Sequence, residues 1–447
     1  VTQTAPERRV ADKPSARETA EACLQRIRDR AEATHAVLTP TPDLALADAD
    51  WVDEARRRGE PLPLDGFPIV LKDNIDVAGV RSTCGAKFFA DRVAERDATV
   101  VARLRAAGAL VLGKAQTTEF MFSLAAHPMF PSCVNPWDRS RIAGASSSGS
   151  ACAVADDQVP GALGTDTGGS VRIPAAFCGV TGLRPTFGAV STHGVFPLAR
   201  SLDVVGPIAR SAREVGRLFD AMVGYDPEDS RSVRVPPAGG QRPLRDLRIG
   251  VPSDFFYDDC DPEIAAAVEH AIATIEGQGH RLVPIALPGA HEAHAGFTQL
   301  IRAEALSQHR ERLESRPEDF GPTVRERLEL GRELSGADVA ELVERLHRWR
   351  RDLAVLFTEQ ADVVLTPTTQ CVPPLLEDAT LGRLPDVTRL TYPWSFGHLP
   401  ALSVPCGFTG AGLPVGLQIA GPRHSDRLLI ALAEGYQDQT DFHTRRP

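Results

Sequence analysis

Apolar positions along this chain follow two periods. Phe67-Pro68-Ile69-Val70-Leu71 is a short continuous apolar run that ends in the polar tip Lys72-Asp73-Asn74, the profile of a strand buried on both faces. Ala109–Leu112, Leu247–Val251, Val363–Leu365, Ala401–Val404 and Val415–Ile419 read the same way. Helical spacing appears elsewhere. Ser15-Ala16-Arg17-Glu18 forms a capping box that opens a helix running to about Arg30. Further helices are predicted over Asp43–Arg58, over Ala98–Ala107 with Asp97 as its cap, over Pro262–Glu276, and over Asp426–Tyr436. Residues 291–359 carry helical patterns rich in Arg and Glu. This rhythm predicts an α/β fold: one core built from both ends of the chain across residues 1–447, with a helical insertion at 291–359 covering part of it. Arg231–Arg245, rich in Pro, Gly and Arg, reads as a surface connection.

The stretch from Gly144 to Gly188 fits neither period. Glycine and serine crowd it, yet Val154, Leu163, Val171, Ile173, Phe177 and Val180 run through it. A flexible linker is wetter than this. The composition predicts backbone packed tightly inside the protein.

Charge and composition narrow the function classes. The 447 residues carry a net charge of −10, with no basic block, which argues against nucleic acid and anionic membrane as partners. No apolar run reaches the length of a membrane span. Val1–Pro14 is polar and lacks the apolar segment of a signal peptide, so a cytoplasmic location is expected. The eight cysteines form no C-x-x-C pair and are expected to be reduced and buried. Of 49 basic residues only Lys13, Lys72, Lys87 and Lys114 are lysines. Arg does not lose its proton in a protein, whereas a desolvated Lys does. A lysine at the end of an apolar strand is therefore a candidate base as well as a candidate ion-pair partner.

Several familiar sites are missing. There is no G-x-S-x-G, no S-x-x-K ending at a lysine, no phosphate-binding loop and no dinucleotide fingerprint. His291-Glu292-Ala293-His294 is not H-E-x-x-H and reads as a solvated helix face. What remains is Gly164-Thr165-Asp166-Thr167-Gly168-Gly169-Ser170, where two glycines precede a serine. Small residues there let successive N–H groups converge on one point, as an oxyanion hole requires. Turns and tight packing explain many such triplets, so this motif alone decides nothing.

Taken together, the motifs resemble those of the amidase signature family. Gly144-Ala145-Ser146-Ser147-Ser148-Gly149-Ser150-Ala151 is similar to its serine/glycine motif, departing at Ala145 and Ser148, where glycine is common. Gly164–Ser170 followed by Val171-Arg172-Ile173-Pro174-Ala175 is similar to its nucleophile motif, with Ser146 and Ser170 24 positions apart. Val70-Leu71-Lys72-Asp73-Asn74 matches its lysine motif, and Asp97–Val101, Asn135-Pro136-Trp137, Phe177–Pro185 and Gly412–Ile419 match its flanks.

The resemblance implies a large mixed sheet sandwiched between helices. It also implies a metal-free, cofactor-free triad: Ser170 as nucleophile, Ser146 as proton relay behind a cis bond to Ala145, and Lys72 as neutral base. The N–H groups of Thr167, Gly168, Gly169 and Ser170 would hold the oxyanion. Met121 and Ser123 match a segment that contacts substrate in some members. Phe120, Phe130, Trp394 and Phe396 either line an acyl pocket or pack in the core. Thr165, Asp166 and Ser148 are expected as supporting hydrogen bonders, Arg172 as an ion-pairing support, and Lys114 as structural.

The implied activity is cleavage of a C–N bond in a small or mid-sized, apolar or aryl amide, anilide or carbamate (urethane), by a monomer or homodimer. The alternative is the catalytic subunit of a glutamine-dependent tRNA amidotransferase. The apolar Phe120–Pro131 stretch and the lack of an evident charged clamp weigh against that alternative.

Overall fold

The structure is a computed structural model that describes residues 14–236 and 244–447. Residues 1–13, with Lys13 and nearly all of the polar leader, lie outside the described residues, as does 237–243 within the expected surface connection.

In chain order the strands are β1 Val37–Pro40, β2 Phe67–Lys72, β3 Ala109–Ala115, β4 Gly161–Asp166, β5 Thr181–Arg184, β6 Val204–Ala209, β7 Arg248–Pro252, β8 Arg281–Ile285, β9 Val363–Pro367, β10 Ala401–Phe408 and β11 Pro414–Ala420. They form one 11-stranded sheet in the order β1-β3-β2-β4-β6-β5-β10-β11-β9-β7-β8. β2 runs parallel to β3 and β4, while β4, β6, β5, β10, β11 and β9 pair antiparallel in turn. The sheet is thus mixed. Its two halves meet where β5 pairs β10, with Leu183 opposite Leu402.

The helices are α1 Ala16–Thr34, α2 Pro42–Arg57, α3 Thr99–Ala106, α4 Ser148–Ala155, α5 Arg172–Cys178, α6 Ala212–Met222, α7 Pro262–Glu276, α8 Ala290–Ser315, α9 Pro322–Gly331, α10 Gly336–Glu359, α11 Leu384–Thr388, α12 Tyr392–Phe396 and α13 Asp426–Gln437. They cover both faces of the sheet, and the two-residue period of the strands sorts the core accordingly. Ile69 and Leu71 of β2 pack in the layer of α3, α6, α7 and α13, whereas Val70 between them packs with α1, α2, α4 and α5. Further along that second face, Ala401 and Ala420 meet α8, α10 and α12.

Most predicted elements are present, with ends moved by a few residues. The Ser15–Glu18 capping box forms as expected. Asp97 does not cap α3. The N-cap is Ala98, while Asp97 accepts from the Ala78 N–H and pairs with Arg105. Residues 144–186 are buried almost throughout, but they hold α4, β4, α5 and β5 rather than featureless backbone. The described cysteines are all free, six buried and two half-buried.

Lys114 in β3 packs as a structural cation. Its Nζ lies 3.2 Å from Asp73 Oδ1 and donates to Ser82 Oγ at 2.5 Å, with both charged side chains fully buried. Replacing Lys114 by Met leaves Asp73 buried without its cation. We expect a loss of about 3–5 kcal/mol in urea unfolding, and a change below about 1 kcal/mol would show that the pair does not hold β2 to β3.

Candidate active site

The C-terminal end of β2 delivers Lys72 into the interior. Its side chain is fully buried, and Nζ lies 2.7 Å from Ser146 Oγ, 2.9 Å from Thr165 Oγ1 and 3.3 Å from the Thr165 carbonyl. No carboxylate pairs with it among the described residues. Burial lowers its pKa to about 7, although Asp166 and Asp203 pull the other way. The neutral amine is therefore accessible near neutral pH.

Ser146 is reached through a cis peptide bond from Ala145, a non-proline residue. Its carbonyl accepts from Thr117 Oγ1 at 3.0 Å. Ser146 and Ser170 line the same cavity, together with Thr167, Gly168, Met121 and Ser123. The free volume there is about 30 Å³, room for a water or two.

The Ser170 loop is shaped from behind by Asp166. Its Oδ1 accepts from the Gly169 N–H at 2.7 Å and its Oδ2 from the Val171 N–H at 3.3 Å. This differs from the expectation for Gly169, whose N–H is committed to Asp166. What Gly169 contributes is conformation, at φ +122° and against Thr391, where a side chain has no place. Gly168 is excluded from carrying a side chain for a different reason, since a Cβ would sit 2.6 Å from both Phe297 and Tyr392.

Asp166 is itself clamped by two arginines. Arg172 Nε and Nη2 each donate to it at 3.0 Å, and Arg184 Nη1 lies 3.2 Å from Oδ1. Burial alone pushes this carboxyl up, but Arg172 and Arg184 outweigh it and hold Asp166 well below the usual carboxylate range. Arg172 reaches further, to Gln418 Oε1 and Ser395 Oγ at 2.7 Å each.

Other expectations sort clearly. Thr165 contacts Lys72 directly, and Ser148 opens α4. Ser123 Oγ donates to the Ala125 carbonyl at 2.5 Å. Phe120 packs in an aromatic cluster with Phe88, Phe89, Phe196, His309 and Phe320. Neither it nor Phe130, Trp394 or Phe396 is among the cavity residues. His291 is exposed, as expected of a solvated helix face, with its ring against Phe255, whereas His294 is half-buried between Phe255 and Tyr392. Among the described residues no group of three or more His, Cys, Asp or Glu stands close enough to hold a metal.

Two residues escape sequence reasoning. Asp203 accepts from Thr167 Oγ1 at 2.6 Å and from the Leu198 and Ala199 N–H groups at 2.9 and 3.0 Å, and burial raises its pKa to about 6. It fixes Thr167 from a loop 36 residues away. Arg327 of α9 also lines the cavity. It is one of many arginines in the 291–359 pattern, and nothing local distinguishes it.

The chain is similar to known proteins over most of its length. The family profile "Amidase" matches residues 18–430. A glutamyl-tRNA(Gln) amidotransferase subunit from Chloroflexus aggregans is 39% identical, over 96% of this chain and 94% of that protein. Among solved structures, a chain from a vestigial protein complex that bears on the origins of an s-triazine catabolic enzyme superposes with a TM-score of 0.89 at 32% identity, covering 96% of each chain. A 6-aminohexanoate cyclic dimer hydrolase complexed with substrate superposes at 0.87 with 26% identity, covering 98% of this chain and 96% of that one. With the sheet, the buried lysine and the serine pair in place, the chain belongs to the amidase signature family and is an amidohydrolase.

Proposed function

We propose that the chain hydrolyses the C–N bond of a small amide, anilide or carbamate through an acyl-enzyme on Ser170. The observation that carries this is Lys72. It is a fully buried amine without a carboxylate partner, poised near neutrality and 2.7 Å from a hydroxyl that shares a cavity with Ser170. Neutral Lys72 takes the proton of Ser146, and Ser146 takes that of Ser170. Ser170 Oγ attacks the carbonyl carbon while the N–H groups of Thr167, Gly168 and Ser170 receive the oxyanion. Ser146 then protonates the nitrogen, the C–N bond breaks, and water activated by the same relay releases the acid.

The setting of this reaction has two versions. Relatives named as components of an amidotransferase favour glutamine as the amide and partner proteins around the chain. These names weigh toward the reading that the sequence placed second, behind a stand-alone hydrolase. The stand-alone version is supported by the cavity lining, which holds no carboxylate to meet the ammonium of glutamine. The purified chain, given aryl amides, carbamates and glutamine without partners, ATP or tRNA, is expected to hydrolyse one of the first two classes. Turnover of glutamine alone, and only after partner proteins are added, would assign it to the amidotransferase.

A serine-directed fluorophosphonate should label Ser170, and peptide mapping that finds the label only elsewhere rejects the nucleophile. Lys72→Arg and Lys72→Ala, checked for folding by circular dichroism, should each lose at least about a thousandfold in kcat/KM, because guanidinium does not accept a proton. In the wild type, kcat/KM should fall as pH drops through about 7, where Lys72 takes up a proton. A folded Lys72→Arg enzyme with near-normal turnover would rule out the relay.

A further inference from the structure

One wall of the Ser170 cavity is the segment Met121, Phe122, Ser123 and Leu124. It begins in unusual backbone. Phe120 and Met121 stand consecutively in the left-handed region, at φ 47° and 59°, which residues with a Cβ seldom adopt. Such backbone persists only where its surroundings over-determine it. Local bonds supply part of the constraint. The Phe120 N–H donates to the Cys84 carbonyl at 2.9 Å, and the Phe122 N–H to that of Glu119 at 2.9 Å. The rest comes from α9. Gly321, its N-cap, donates its N–H to Oε1 and Oε2 of Glu119 at 3.1 and 3.0 Å. Further along the same helix, Arg327 Nη1 donates to the Phe122 carbonyl at 2.6 Å, with the guanidinium 3.6 Å from the centroid of the Phe122 ring. One helix thus holds both ends of the turn from Glu119 to Phe122.

Electrostatically, Glu119 is poorly placed. It is 2% exposed, and among the described residues no Lys, Arg or His pairs with it. Burial raises its pKa to about 7, and the Gly321 N–H offsets this only in part. The charged groups of the surrounding elements have other partners: Lys87 with Asp319, Arg316 with Asp319 and the Phe88 ring, and Arg327 with Phe122. His127, the other titratable group of this segment, takes the Met129 N–H on Nδ1. A carboxylate buried in this way does not stabilise a fold. Its two equivalent oxygens, both facing one N–H, do give a strong and well-defined contact. We propose that Glu119 is a positioning residue for the hydrolase: through Gly321 it fixes the Phe120–Met121 turn, and with it the wall against which the acyl part of the substrate lies. This rests on the hydrolase reading above and adds a residue that acts on substrate fit without touching Ser170.

Two sulfonyl fluorides separate the wall from the nucleophile. Methanesulfonyl fluoride needs little beyond Ser170, whereas phenylmethanesulfonyl fluoride must lay its benzyl group along the cavity. Both are applied to the full chain, and labelling of Ser170 is followed by mass spectrometry. In Glu119→Leu, which is of similar size and has no acceptor, the benzyl-to-methyl rate ratio should fall about tenfold, as expected for losing a hydrogen bond to a charged group, while the methyl rate stays within about threefold of the wild type. Glu119→Gln keeps one acceptor for the Gly321 N–H and should recover part of the ratio. It should also melt no lower than the wild type at pH 8, because the change removes a buried charge. An unchanged ratio in Glu119→Leu, an equal fall in both rates, or no recovery in Glu119→Gln would each overturn the assignment. A Glu119→Leu chain that does not fold, or a Glu119→Gln chain that melts lower, would assign the residue to stability instead. If neither reagent labels Ser170 in the wild type, it is the hydrolase reading that has failed.

Discussion

The arrangement around Ser170 depends on one buried carboxylate. Asp166 ends β4, and every element of the site is tied to it within a few bonds. Its two oxygens take the Gly169 and Val171 N–H groups, which sets the turn before α5. The same oxygens hold Arg172 and Arg184, and these arginines carry the constraint outward. Arg172 reaches Gln418 on β11 and Ser395 on α12, and Arg184 reaches the Leu202 carbonyl. The second half of the sheet, the helix behind the cavity and the loop that carries Asp203 are thereby referenced to one anion. Such a cluster is not a cheap source of stability, because three charges leave water to form it. It gives definition instead. A loop of glycines has many conformations open to it, and multidentate charge-assisted bonds select one of them.

The sequence disclosed those parts of this arrangement that are local. Lys72, Ser146 and Ser170 stand inside contiguous motifs, so their neighbours in the chain are also their neighbours in space. Strands buried on both faces, such as β2 and β3, declare themselves by unbroken apolar runs. The sheet between Gly144 and Gly188 did not, because β4 and β5 are short and glycine-rich and α4 consists of small residues with no polar face. Arg172 was expected to pair, but its anion and the second arginine were not identifiable, since Arg184 lies 18 residues beyond Asp166. Asp203 and Arg327 were illegible for the same reason. Their importance comes from the loop or helix that faces them across the fold, which no local pattern encodes.

Asp97 shows the opposite error. Acidic residues before helices are common caps, and this one sits one position too early. Its carboxylate has other partners in the Ala78 N–H and Arg105, so the start of α3 is left to Ala98. The local rule was sound, and a tertiary contact outcompeted it.

The division of labour between lysine and arginine follows from proton chemistry. The chain has 49 basic residues and uses lysine four times. Lys87 pairs with Asp319 at the surface and Lys114 with buried Asp73, so each cation has its anion. Lys72 is buried without one, and it has a way out that arginine lacks: it sheds its proton, and burial brings that transition to about 7. Arg327 lines the same cavity, equally without an acid among the described residues, but it retains its charge. The two unpaired cations therefore resolve the same electrostatic problem differently. One becomes neutral and thereby a base. The other stays positive, held by the Phe122 carbonyl and the face of the Phe122 ring.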